Sequence, residues 1–258
     1  QDWEAAAPGM RRVLACLAAT VSMASGLALP MQKCALGSIE ALSRCRLVLA
    51  SKSPRRREIF DLMGLDRVGY DIVVSDFEED LPKSDFPGED GPQRYCEATA
   101  TGKARSVAGK IFSQGSGTPS ANPVFVVGAD TIVDLDGEVL EKPSSEQDAA
   151  ATLRRLSGRA HFVHSSVAIF SSRHGVAEPV ISFCETTRVK FGQLSDAEIS
   201  AYVASGEPMD KAGSYGIQGL GGQFVDQIEG CYFNVMGLPM RRFSTAIAGL
   251  VAGDEEGR

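Results

Sequence analysis

The chain has 258 residues, 43% hydrophobic and 23% charged, with a formal net charge of −7. That is enough apolar material for one large core or two small ones, and it excludes a fibrous or wholly disordered chain. The acidic balance gives no global footprint for DNA or RNA, so any phosphate site must be a local basic pocket, which favours a small nucleotide over a polymer.

The first 44 residues differ from the rest. Met10-Arg-Arg is followed by an uncharged run over 13–29, rich in Ala, Leu, Ser and Gly. It has the pattern of a signal or transit peptide and is too mildly apolar for a membrane span. A targeting sequence, a disordered extension and sequence upstream of the true start all fit it. The boundary of this extension is set at 44, and the globular part runs from 45 to 252 with a short tail over 253–258.

From residue 47 the elements alternate. Leu47-Val-Leu-Ala50 is a continuous apolar run, as a strand covered on both faces would be. Ser53 and Pro54 then open a helix over 54–63, with Ser53 at the N-cap and Pro54 at the first helical position. Arg55, Arg56 and Arg57 oppose the helix dipole there, a placement that suits either a solvated turn or a bound polyanion. A strand over 70–74 and the acidic loop Phe77-Glu-Glu-Asp-Leu-Pro82 follow. Next come a helix over 93–112 and a mobile Gly/Ser/Pro loop over 113–123. An apolar strand over 124–127 runs into Gly128-Ala-Asp-Thr131, and strands over 132–135 and 138–140 flank Asp136-Gly137, a two-residue hairpin signal. A capped helix over 144–156 stops at Gly158, and two long strands over 162–170 and 180–191 form a hairpin. Ser195-Asp-Ala-Glu198 is a capping box whose helix ends near Gly206. A Gly-rich stretch over 213–222 leads to a strand over 223–228, and Pro239 opens a final helix to 251. The class is α/β with a mixed sheet flanked by helices.

The six cysteines include no Cys-x-x-Cys pair, which argues against a zinc ribbon and for a reducing compartment. His161 and His164 stand three apart in one predicted strand and so face opposite sides, which assigns both a structural role. The chain has no Gly-x-x-x-x-Gly-Lys-Ser/Thr loop, no dinucleotide glycine spacing and no Gly-x-Ser-x-Gly elbow. What remains is a set of charged residues near strand ends. Asp130, beside Gly128, is expected at the carboxyl end of its strand, where α/β sheets bind ligands; the bland alternative is a turn Asp. Glu79, Lys103 and Lys142 join it with the arginine pair Arg55 and Arg56. Two carboxylates, two lysines, two arginines and no histidine suit a hard cation and phosphate oxygens.

Five segments carry a resemblance: Leu-Ala-Ser-Lys-Ser-Pro-Arg-Arg (49–56), Val-Gly-Ala-Asp-Thr-Ile-Val (127–133), Glu-Lys-Pro (141–143), Leu-Ser-Gly-Arg (156–159) and Gly-Glu-Pro-Met-Asp-Lys-Ala-Gly-Ser-Tyr-Gly-Ile-Gln-Gly (206–219). With Asn-Val-Met-Gly-Leu-Pro (234–239) they resemble the Maf family, in order, over about 45–250. The resemblance implies a fold like inosine-triphosphate pyrophosphatase: an elongated mixed sheet, two lobes and a central cleft. It implies hydrolysis of nucleoside triphosphates to monophosphate and pyrophosphate with a divalent metal cation, Mg²⁺ or Mn²⁺. Asp130 matches the acidic residue that accepts a proton from water. Arg55, Thr131 and Gln218 match positions tied to substrate choice, and Ser51, Arg56, Glu79, Lys103 and Lys142 match phosphate- and metal-handling positions, with Glu79 and Asp130 as the metal ligands. Ala-Asp-Thr at 129–131 resembles the branch acting on dTTP and UTP, in which Thr131 and Gln218 read the imide edge of a pyrimidine. The alternatives are the 7-methyl-GTP branch, which carries Ser-Asp-Gln there, and a non-catalytic nucleotide sensor in cell division. Asp210 and Lys211 border the cleft or serve as a structural salt link. A homodimer, a cytoplasmic location (an organelle if 10–44 is a transit peptide) and no membrane partner complete the expectation.

Overall fold

Leu47, Val48 and Leu49 are buried because strand β1 (Arg46–Leu49) lies inside the sheet, between two parallel neighbours, as the continuous apolar run predicts. The computed structural model describes residues 34–114 and 122–256. The segment over 13–29 and most of the loop over 113–123 lie outside them. The folded unit begins before the expected boundary at 45. A 3-10 turn (Ala35–Ser38) and helix α1 (Ile39–Leu42) bury Ala35 and Leu42, and the Ala35 N–H donates to Ser244 Oγ at 2.8 Å.

Helix α2 (Pro54–Leu62) starts at Pro54 as predicted. Ser53 holds the N-cap position without a side-chain cap bond, and its own N–H donates to Ser51 Oγ. The strand expected over 70–74 shrinks to β2 (Asp71–Ile72), a two-residue edge beside β1. Helix α3 (Gly91–Gln114) follows and packs on one face of the sheet.

Beneath it runs strand β3 (Val124–Leu135), one unbroken strand of 12 residues where the sequence predicts two. Residues 128–131 belong to that strand, and Gly128 is a contact point within it. A Cβ there would lie 2.6 Å from the Ala104 Cβ of α3, so only glycine lets the helix approach this closely. The helix answers with small buried residues, Cys96, Ala100, Ala104 and Ala108, at intervals of four.

Asp136 (φ 58°) and Gly137 (φ 85°) make the predicted turn into β4 (Glu138–Leu140), both left-handed as the hairpin requires. Helix α4 (Glu146–Leu156) is capped by Ser145, one residue later than the start of the predicted segment, and its hydroxyl accepts from the Asp148 N–H. The long hairpin is β5 (Ala160–Ser171) and β6 (Ile181–Phe191). Helix α5 (Asp196–Ala204) carries both bonds of the Ser195–Glu198 capping box. Strand β7 (Val225–Glu229), helix α6 (Tyr232–Met236) and helix α7 (Met240–Glu256) end the described chain, α7 outrunning its expected end at 251. The sheet order is β2-β1-β3-β5-β6-β7, with β4 paired to β3 off this path. It is parallel on the β1 side of β3 and antiparallel beyond, a mixed sheet as predicted. Among the described residues no helix is long and apolar enough to cross a membrane.

The two strand histidines face opposite sides and both are structural. His164 joins Thr186 Oγ1 (2.8 Å) and Asp134 Oδ2 (3.3 Å). His161 Nε2 meets the Tyr215 hydroxyl at 2.8 Å, with the Phe191 ring edge-on, and burial pushes its pKa down to about 4. Between pH 6.5 and 4 the unfolded chain therefore binds a proton that the folded chain refuses, so stability falls as pH drops through that window. The loss attributable to His161 reaches about 3 kcal/mol near pH 4. A series of urea midpoints from pH 7 to 4 should show this slope, and His161→Gln should flatten it. An unchanged slope in the variant sinks the assignment.

Candidate active site

The site begins with a break in the sheet. Strand β1 pairs with β3 only as far as Leu49 opposite Val127, and the last bond is the Ala50 N–H to Val127 O at 2.8 Å. Strand β4 joins β3 only from Val133 onward. Between these points β3 keeps β5 as its one neighbour. The ladder alternates: Val124 O accepts from Ser172 N–H on the β5 side, and Val127 O accepts on the β1 side. By that alternation the N–H and C=O of Thr131 point into the break. A cavity of about 650 Å³ fills this space, within the range that holds small ligands.

All nine residues singled out from the sequence line this cavity: Ser51, Arg55, Arg56, Glu79, Lys103, Asp130, Thr131, Lys142 and Gln218. Asp130 is neither at the end of its own strand nor in a turn. It sits in mid-strand on β3, just past the carboxyl end of β1, so the expected rule holds for the neighbouring strand.

Lys103 organises the α3 side. It projects from α3 at the level where Gly128 admits the helix, and its Nζ lies 2.8 Å from both Asp130 Oδ1 and Glu79 Oε2. Lys103 and Asp130 are buried, with side chains 10% and 8% exposed, so each charge depends on the other for compensation. Glu79 arrives on the acidic loop, which docks where the Phe77 ring fills the space above Gly102. Of the three consecutive acids Glu78, Glu79 and Asp80, it is Glu79 that lines the cavity.

Thr131 follows Asp130 and therefore faces the other side of the sheet. There the Arg56 guanidinium reaches three acceptors: Gly237 O (3.0 Å, from Nε), Ser51 Oγ (3.2 Å, from Nη1) and Thr131 Oγ1 (3.0 Å, from Nη2). Burial lowers the pKa of Arg56, and the charge of Asp130 pulls it back up. Ser165 Oγ gives its proton to Asn234 O, so the Thr131 hydroxyl accepts from Arg56 and has Ser165 Oγ (2.9 Å) and Gly237 O (3.3 Å) as acceptors for its own proton. Its proton is committed inward, away from any ligand.

Arg55, one residue earlier, leans out to Asp210 Oδ2 at 3.0 Å, and Lys211 Nζ meets the other oxygen of that carboxylate at 2.6 Å. Asp210 and Lys211 thus both border the cavity and form a salt link. Lys142 also lines the cavity, with no carboxylate partner among the described residues. Two contributors were not singled out from the sequence. Lys52 lines the cavity between Ser51 and Arg55, and its place inside the 49–56 motif was the available signal. The Gly237 carbonyl anchors Arg56 from the 234–239 motif, a backbone role that no residue type advertises.

The family profile described as Maf-like protein matches residues 46–250. The protein named dTTP/UTP pyrophosphatase of Clostridium perfringens strain SM101 is 42% identical over 202 residues, 78% of this chain and 95% of that protein. One of the same name from Clostridium botulinum strain 657 is 40% identical over 78% and 95%. The Homo sapiens protein named "Probable bifunctional dTTP/UTP pyrophosphatase/methyltransferase protein" is 45% identical over 77% of this chain, which spans 31% of its length. A crystal structure titled nucleoside-triphosphatase / dITP/XTP pyrophosphatase, from Mycobacterium abscessus, covers 80% of this chain and 97% of its own, at 14% identity and a TM-score of 0.34. That score carries no argument about the fold. Matched by the family profile from β1 into α7, and similar over nearly the whole length of its clostridial relatives, the chain belongs to the Maf family.

Proposed function

We propose that this chain hydrolyses dTTP and UTP at the α-phosphorus, releasing the nucleoside monophosphate and pyrophosphate. The observation that carries the reading is buried Lys103, bonded at once to Asp130 and Glu79 beside a nucleotide-sized cavity. The names of the clostridial relatives support the substrate class. A catalyst fits better than a sensor, because pure binding has no use for a buried carboxylate poised to take a proton.

Lys103 occupies Asp130 Oδ1, which leaves Oδ2 to take a proton from water as the water oxygen adds to the α-phosphorus and the bond to pyrophosphate breaks. Arg55, Lys142 and the first N–H groups of α2 grip the phosphate tail. Arg56, tied to Ser51, Thr131 and Gly237, shapes the wall and does not travel to the substrate. With the Thr131 proton turned inward, reading of the base falls to Gln218, whose amide donates and accepts at once.

Glu79 and Asp130 converge on one cationic nitrogen, and among the described residues no third His, Cys or carboxylate joins them in a metal-binding group. That donor pair fits Mg²⁺ or Mn²⁺, which take one or two protein carboxylates and fill their shell with phosphate oxygens and water. Glu79 and Asp130, the latter through Oδ1 with Oδ2 left for the proton, would hold such an ion, and it would supply charge neutralisation at the phosphate oxygens.

The test is a panel of nucleoside triphosphates with Mg²⁺ or Mn²⁺, followed by product analysis. Pyrophosphate and monophosphate from dTTP and UTP are expected. Nucleoside diphosphate with orthophosphate overturns the reaction, binding without turnover favours the sensor, and preference for 7-methyl-GTP moves the chain to the other branch. On the same panel Gln218→Ala should narrow the preference for dTTP and UTP, and Arg55→Ala should weaken all triphosphates about equally. The reverse pattern would exchange their roles. The expected homodimer is a matter for sedimentation. We read the compartment as a reducing one such as the cytoplasm, in which cysteines stay out of disulfides, and none of the five described cysteines forms one.

A further inference from the structure

Gln218 rides on residues 216–222, a glycine-rich segment outside the ladder of the sheet. Such a segment has little to hold it, yet both its ends are fastened to one pair of side chains. The Tyr202 hydroxyl of α5 accepts from the Gly216 N–H at 3.1 Å and donates to Glu207 Oε1 at 2.9 Å. The Glu207 carboxylate then accepts from the Leu220 N–H (2.9 Å, at Oε2) and the Gly221 N–H (3.2 Å, at Oε1). Gly219 lies flat against the same carboxylate, where any Cβ would collide with its oxygens. Burial raises the pKa of Glu207, but the two backbone N–H groups, Tyr202 and Lys211 outweigh it and keep the acid below its usual range. Neither Glu207 nor Tyr202 lines the cavity.

We infer that Glu207 and Tyr202 are positioning residues for substrate choice, a clamp that fixes the segment from which Gln218 reaches the base. The inference rests on the reading of Gln218 given above. Without the clamp, Gln218 must pay the entropy of ordering its own segment each time it meets a base, so the loss falls on discrimination and not on the phosphate chemistry.

The experiment compares Glu207→Gln and Tyr202→Phe with the parent chain, reading kcat and KM for dTTP and CTP. Gln keeps the size of Glu but sets an NH₂ donor against backbone donors. Phe keeps the ring, which packs edge-on against Phe224 at 5.0 Å, and removes only the hydroxyl. The ratio of kcat/KM between dTTP and CTP should fall at least about tenfold, through KM for dTTP, with kcat on CTP held within about threefold. In a Gln218→Ala background, Glu207→Gln should cause no further fall in that ratio, because the two residues act as one unit. A merely structural residue would lower kcat on every triphosphate, or would add its loss to that of Gln218→Ala, and either result overturns the clamp. If Glu207→Gln does not fold, Tyr202→Phe alone decides. Gln218→Ala with full discrimination overturns the reading of Gln218 and the clamp with it. Loss in Gln218→Ala but in neither clamp variant overturns the clamp alone.

Discussion

Asp130→Asn should reduce pyrophosphate release by roughly 10²-fold or more while the protein stays folded and still binds nucleotide. The amide has nearly the same shape, so the strand and its packing survive. Lys103 keeps Glu79 as counter-charge, and the amide oxygen can still accept the Lys103 bond. What is lost is a basic oxygen for the proton of the attacking water. Steady-state assays beside a thermal melt and a nucleotide-binding isotherm separate these effects. Near-full activity in the folded variant would reduce Asp130 to a counter-ion for Lys103 and end its assignment as base.

Arg56→Met should be the most destabilising single change in the site, by about 3 kcal/mol, which for a chain of this size is a fall of roughly 10 °C in Tm. Gly237 O, Ser51 Oγ and Thr131 Oγ1 all lose their shared donor, and Arg56 itself is more than nine-tenths buried. Arg56→Lys should restore less than half of the loss, since one ammonium cannot span three acceptors arranged around a planar fork. A variant that melts normally but shows a raised KM for every triphosphate would mean that Arg56 serves the phosphates directly.

Local signals were legible in the sequence because their physics is local. The Asp136-Gly137 turn, the Ser195–Glu198 capping box, the Pro54 helix start and the Gly158 stop depend only on neighbouring residues, and all four stand where the pattern puts them. Where the answer depended on a distant partner, the pattern misled or was silent. Residues 128–131 read as lying past the end of a strand, because the reason for Gly128 is Ala104 on another element. Residues 35–42 read as extension because their partner, α7, comes some two hundred residues later. Charge and place near strand ends single out Asp130, Glu79, Lys103, Lys142, Arg55 and Arg56, the resemblance adds Ser51, Thr131 and Gln218, and every one lines the cavity. Their division of labour was not legible. Nothing in the letters says that Arg56 is held inward while Arg55 leans outward, or that the Thr131 proton is turned toward Ser165 and Gly237.

The break between β1 and β4 has a dynamic consequence. Thr131 belongs to a strand buried along most of its length, yet its amide hydrogen faces the cavity with no carbonyl across from it, while Asp130 and Ile132 donate toward β5. In deuterated water Thr131 should therefore exchange far sooner than both neighbours, as though a single rung in the middle of the sheet were already open. Any occupant that bonds to that rung should slow it. This amide is then a gauge of occupancy that needs neither turnover nor a label.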